Sequence, residues 1–109
     1  MLTKNVIAKV KEKTAGFDVG SYDGFLAVQV TLSDNNEAFY VEIKDGKLSV
    51  EPFEYYDRQA NMIISSANFI KMINGELNPV IAFNTGKLKI EGSIEKAKEL
   101  ESIFSKEEE

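Results

Sequence analysis

The chain opens with apolar residues at helical spacing. Leu2, Val6, Ile7 and Val10 fall on one side of a 3.6-residue period, with Lys4, Lys9, Lys11 and Lys13 between them, which predicts an amphipathic helix from Leu2 to about Thr14. Gly16, Asp18, Gly20, Asp23 and Gly24 form a turn-rich passage. The period then drops to two. Leu26, Val28, Val30 and Leu32 alternate with Ala27, Gln29, Thr31 and Ser33, the pattern of a strand with one face in a core and one toward water. Asp34-Asn35-Asn36 closes it. Phe39, Val41 and Ile43 alternate with Tyr40, Glu42 and Lys44, and Asp45-Gly46 supplies the positive φ angles of a two-residue hairpin. Leu48 and Val50 form the return strand, which Pro52 ends because it has no amide proton for a ladder. A looser segment, Phe53 to Arg58, leads to a further strand from Asn61 to Ser65.

Helices then take over. Ser66 is the expected N-cap of a helix whose stripe is Phe69, Ile70 and Ile73, and Gly75 offers a left-handed stop. Asn78-Pro79 places a capping side chain before a ring that lacks an amide proton, which predicts a short helix ended at Gly86. Leu88 and Ile90 alternate with Lys87, Lys89 and Glu91 in a last strand. Gly92-Ser93 caps a closing helix with Ile94, Ala97, Leu100, Ile103 and Phe104 on one face. The strands are apolar on one side and polar on the other, so the expected class is α+β: an antiparallel or mixed sheet covered on one face by helices. No linker, repeat or low-complexity stretch divides the chain, and residues 1–109 read as a single domain, with Ser105 to Glu109 as a frayed, solvated end.

Composition narrows the chemistry. There is no Cys and no His, which removes disulfides, thiolate metal sites, the commonest transition-metal ligand and the usual base of a Ser or Cys nucleophile. A net charge of −5 and a single Arg58 argue against nucleic acid as a partner. The lysines that break up the first segment leave neither a signal-peptide core nor a membrane-spanning run. The expected location is therefore the cytoplasm, with no stable membrane insertion.

Catalytic templates fail one by one. Ser65 and Ser66 have no His or Lys placed beside them in sequence, and capping accounts for Ser66. Glu51, Glu54 and Asp57 lack the ligand spacing of a calcium loop. Gly16, Gly20 and Gly24 do not form a phosphate-cradling motif. The expectation is a non-enzyme without metal or cofactor. What remains is apolar: Phe69, Ile70, Met72, Ile73, Ile81, Phe83, Leu88, Ile90, Leu100, Ile103 and Phe104. By spacing alone these residues are core, and periodicity does not separate a filled core from a lined cavity.

The run from Phe69 to Gly92, a helix ending in Gly75, a short helix opened by Pro79, the strand Gly86-Lys87-Leu88-Lys89-Ile90 and the turn at Gly92, resembles the signature region of the sterol carrier protein 2 family. Ser93 to Phe104 is similar to that family's closing helix, and Val41 to Leu48 to its central hairpin. Phe39 and Tyr40 stand where many members carry Trp, and Asn61 where an Asp is common. The resemblance implies a five-stranded sheet backed by helices around an apolar tunnel for a fatty acid, acyl-coenzyme A, a sterol or another lipid. The eleven apolar residues named above would line that tunnel. It also implies a carrier that is a monomer or weak homodimer and touches membranes at most transiently. The competing expectation is a dry-cored module that docks on an enzyme or on a copy of itself through a sheet edge or the closing helix.

Overall fold

In the computed structural model, which describes residues 2–20, 22 and 24–107, the element order is α1 (Thr3–Thr14), β1 (Leu26–Leu32), β2 (Glu37–Lys44), β3 (Lys47–Glu51), β4 (Ala60–Ile64), α2 (Ser66–Ile73), α3 (Pro79–Asn84), β5 (Leu88–Gly92) and α4 (Ile94–Glu107). Asp23 of the turn-rich passage lies outside the described residues, as do Glu108 and Glu109. The backbone of Ser105 to Glu107 continues α4.

The strands form one mixed sheet in the order β3-β2-β1-β4-β5. β1 runs parallel to β4 and antiparallel to β2, while β3 and β5 are antiparallel to their neighbours. The register follows from the alternation: Val28 sits opposite Val41 and Ala60, Val30 opposite Phe39 and Met62, and Ile64 opposite Leu88. Each pairing brings apolar side chains onto one face, and a slip of one residue would turn them all to the other. That face carries the helices. Val6 and Val10 of α1, Phe69 and Ile73 of α2, and Ala97, Leu100 and Phe104 of α4 are buried against it.

Local signals operate where the residues place them. Asp45 and Gly46 adopt φ of 53° and 75° in the hairpin, and Gly75 and Gly86 stop α2 and α3 at 78° and 80°. Asn78 Oδ1 accepts from Val80 N at 2.8 Å and Ile81 N at 3.2 Å, and Ser93 Oγ accepts from Lys96 N at 3.2 Å. The cap of α2 falls one residue earlier than its sequence suggests. Ser65 Oγ accepts from Asn68 N, while Ser66 donates both its N–H and its hydroxyl to Asp34 Oδ1. The aspartate after β1 thus competes for Ser66 and ties the start of α2 to the end of the strand.

The second face of β1 also departs from the alternation, which aims Ala27 and Gln29 toward water. They are 0% and 3% exposed. The segment from Phe53 to Gln59 carries the chain from β3 back to β4 across this face and covers them. Tyr55 N donates to Gln29 Oε1 at 3.0 Å, Tyr55 Oη donates to Glu42 Oε2 at 2.7 Å, and Ala27 N donates to Gln59 Oε1 at 2.9 Å. The Glu42 bond, together with burial, raises the Tyr55 hydroxyl to about 12, so it remains a donor at any physiological pH.

β5 meets β4 closely at its end. Gly92 has φ 84°, and a β-carbon there would stand 2.8 Å from the Gln59 carbonyl oxygen. Gly92→Ala should therefore destabilise the domain by about 1–3 kcal/mol through combined backbone strain and overlap. Chemical denaturation would read this as a lower midpoint at unchanged slope, and an unaltered midpoint would contradict it.

Candidate functional site: an apolar groove between α3 and α4

A groove of about 790 Å³ opens between α3 and α4, lined by Asn78, Pro79, Val80, Phe83 and Asn84 of the α3 segment, Ile90 of β5, and Ile94, Lys98, Glu101 and Ser102 of α4. Its volume is that of a small-molecule site. Three elements make it. The Asn78 cap and Pro79 start α3 as a short, separate helix rather than a continuation of α2, so its Val80 and Phe83 stand off the sheet as an outer wall. These two side chains are 62% and 43% exposed, and Ile94, facing them from α4, is 44% exposed. Apolar side chains that stay open around a concavity, while two dozen others are buried, leave surface that a ligand can cover.

The inner end of the groove is polar at one point. Glu101 is half-buried, and its Oε1 is shielded from solvent with no hydrogen-bond partner among the described residues. Burial pushes this carboxyl up to about 7, against the opposing attraction of Lys98. Behind it Glu101, Pro79, Met72, Ile73 and Phe104 enclose a void of about 10 Å³, room for at most one water molecule.

The expected enclosed tunnel between sheet and helices is thus replaced, in the described residues, by an open groove beside a filled core. The reason is side-chain volume. Phe39 and Phe69 pack edge to face with ring centres 5.6 Å apart, and Met62, Leu88 and Leu100 are at most 1% exposed. Of the eleven residues singled out in the sequence, Phe83 and Ile90 line the groove. Met72, Ile73 and Phe104 lie behind it around the small void. Phe69, Leu88 and Leu100 are in the core, with Ile103 packed against it. Ile70 faces away, in a shallow cleft with Lys9, Lys13 and Ile73 between α1 and α2, and Ile81 is 56% exposed on the outer side of α3.

Sequence reasoning missed Val80, Ile94, Lys98, Glu101 and Ser102 as groove residues. Ile94, Lys98 and Glu101 are spaced four and three apart and so share a helix face, beside the buried stripe of Ala97, Leu100 and Phe104. A carboxylate on the shoulder of an apolar stripe was the signal that could have marked this wall.

The profile of the SCP-2 sterol transfer family matches residues 3–105. The chain belongs to that family. Among curated relatives it is 28% identical to human sterol carrier protein 2 over 105 residues, which is 94% of this chain and 19% of that protein. It is 37% identical to hydroxysteroid dehydrogenase-like protein 2 of Xenopus tropicalis over 77 residues, which is 69% of this chain and 18% of that protein. The chain therefore spans less than a fifth of the length of these relatives. Among solved structures, sterol carrier protein-2 like-3 of Aedes aegypti superposes with a TM-score of 0.71 at 18% identity, covering 95% of this chain and 97% of that one. The five-stranded sheet with its helices is thus the fold of the SCP-2 family. Family membership now accounts for α1 as well, because the match begins at its first residue. No described helix is long and apolar enough to cross a membrane.

Proposed function

We propose that this SCP-2 domain is a carrier that holds the apolar part of a lipid in the groove between α3 and α4 and performs no chemistry on it. The observation that carries the reading is the groove itself, an opening of about 790 Å³ whose walls include Pro79, Val80, Phe83, Ile90 and Ile94. An alkyl chain entering it gains roughly 0.8 kcal/mol per methylene removed from water, which suffices for binding without any reacting group. Support comes also from membership of a family described by sterol transfer and from the relative called sterol carrier protein 2.

In this reading Phe83 and Ile90 touch the ligand, Ile81 lies at the rim, and Met72, Ile73 and Phe104 back the inner end of the groove behind Pro79 and Glu101. Phe69, Ile70, Leu88, Leu100 and Ile103 hold the elements that carry these contacts. The carrier works in the cytoplasm as a monomer or weakly associating dimer. It meets membranes transiently through the exposed edge at Val80, Ile81 and Ile94, where an apolar rim lets a lipid pass between bilayer and groove.

Organic extraction of the purified chain followed by mass spectrometry, together with titration of a fluorescent fatty acid, tests the carrier reading. Recovered lipid and saturable uptake at about one ligand per chain are expected. An empty extract with no uptake would refute it.

A further inference from the structure

One acceptor on a residue of the groove wall is shielded from solvent and, among the described residues, has no donor. Glu101 Oε1 has no hydrogen-bond partner among the described residues. The same side chain lines both the groove and the small void behind it, so the carboxyl stands at the inner end, where the opening meets the core. The other polar side chains of the groove are engaged or lie at its margin. Asn78 Oδ1 already takes two amide protons, and Asn84, Lys98 and Ser102 are exposed. A groove with apolar walls at Pro79, Val80, Phe83, Ile90 and Ile94 and an acceptor without a donor at its inner end is complementary to an alkyl chain that brings a donor.

Resting on the carrier function above, we propose that the groove prefers a lipid whose head is an uncharged hydroxyl, bound head inward, with the hydroxyl donating its proton to the Glu101 carboxyl. A fatty-acid carboxylate fits the same walls but has no proton to donate and carries the sign of the ionised glutamate. The preference should depend on pH for the acid alone. Burial holds the Glu101 carboxyl near 7, so below that pH it is protonated and donates to a carboxylate, and above it the two anions repel. A hydroxyl is accepted in both states. Among the described residues, the charge that acts on Glu101 is that of Lys98, one turn earlier on α4. Lys98 attracts an acid head, but it is exposed, where solvent and salt screen it.

Displacement of N-phenyl-1-naphthylamine from the full chain by dodecanol and by dodecanoate, at pH about 5.5 and about 8.5, reads the discrimination on both sides of the titration. Dodecanol should compete equally at the two pH values, whereas dodecanoate should weaken about tenfold at the higher one. Glu101→Gln should erase the pH dependence of dodecanoate. Glu101→Leu, which keeps the groove apolar, should weaken dodecanol about tenfold while the naphthylamine still binds. Equal competition by alcohol and acid at the higher pH, or an unchanged dodecanol affinity in Glu101→Leu, would overturn the head-group preference and leave the carrier intact. Failure of probe, alcohol and acid alike to bind the wild-type chain would overturn both.

Discussion

Phe83→Asp should reduce lipid uptake by at least about tenfold while leaving the domain folded. Phe83 is 43% exposed on the outer wall, so its ring contributes little to the core, and a substitution at such a position changes stability by about 0.5 kcal/mol or less. Its effect on a bound chain is much larger. A carboxylate in that wall must either lose its hydration when the alkyl chain arrives or hold water in the groove, and either course opposes binding by several kcal/mol. The two effects separate cleanly in measurement: a melting curve within about 4 °C of the wild type, and a fluorescent-lipid titration that no longer saturates. Undiminished uptake would mean that the lipid does not lie against α3.

Phe69→Ala should do the opposite. Phe69 is fully buried, and its ring packs edge to face on Phe39 at a centre-to-centre distance of 5.6 Å. Emptying that position removes both the transfer free energy and the contacts of a ring that tightly packed neighbours refill only in part, a loss of about 3–5 kcal/mol. Against a total stability of about 5–15 kcal/mol, this lowers the melting temperature by about 12 °C or more. Affinity measured at a temperature where the variant is still folded should match the wild type. A melting temperature barely changed, with uptake abolished, would instead make Phe69 part of a cavity wall and place the lipid between sheet and helices.

The contrast between these two phenylalanines marks the limit of the sequence. Alternation in β1 and β2, the Asp45-Gly46 hairpin and the Asn78-Pro79 start of α3 each act through neighbours in the chain, and each was legible. So was membership of the family, from the order of motifs between Phe69 and Phe104. The cap of α2 was misplaced by one residue because Asp34, a long way off in sequence, claims Ser66. The covered second face of β1 was missed for a similar reason. Nothing local to Ala27 and Gln29 announces that Tyr55 and Gln59 will lie across them.

The site was half legible. The apolar residues of its walls were recognisable, but which of them face a filled core and which an opening depends on how far α3 stands from α4, a distance that no periodicity encodes. Phe69 and Phe83 look alike in a hydrophobic pattern, yet one is wedged under β2 and the other borders a groove. Glu101 escaped because a carboxylate amid an apolar helix face reads as the solvated edge of the stripe. Only the assembled structure puts its Oε1 out of water with no partner among the described residues.

The location of the lipid is the point on which the account turns. Intermolecular nuclear Overhauser contacts between an isotopically labelled chain and unlabelled dodecanol would report it directly. Contacts from the alkyl protons to the side chains of Val80, Phe83, Ile90 and Ile94 are expected, with none to Phe39 or Phe69. Contacts confined to the buried residues between sheet and helices, or no contacts at all at saturating lipid, would contradict a carrier that works through the groove between α3 and α4.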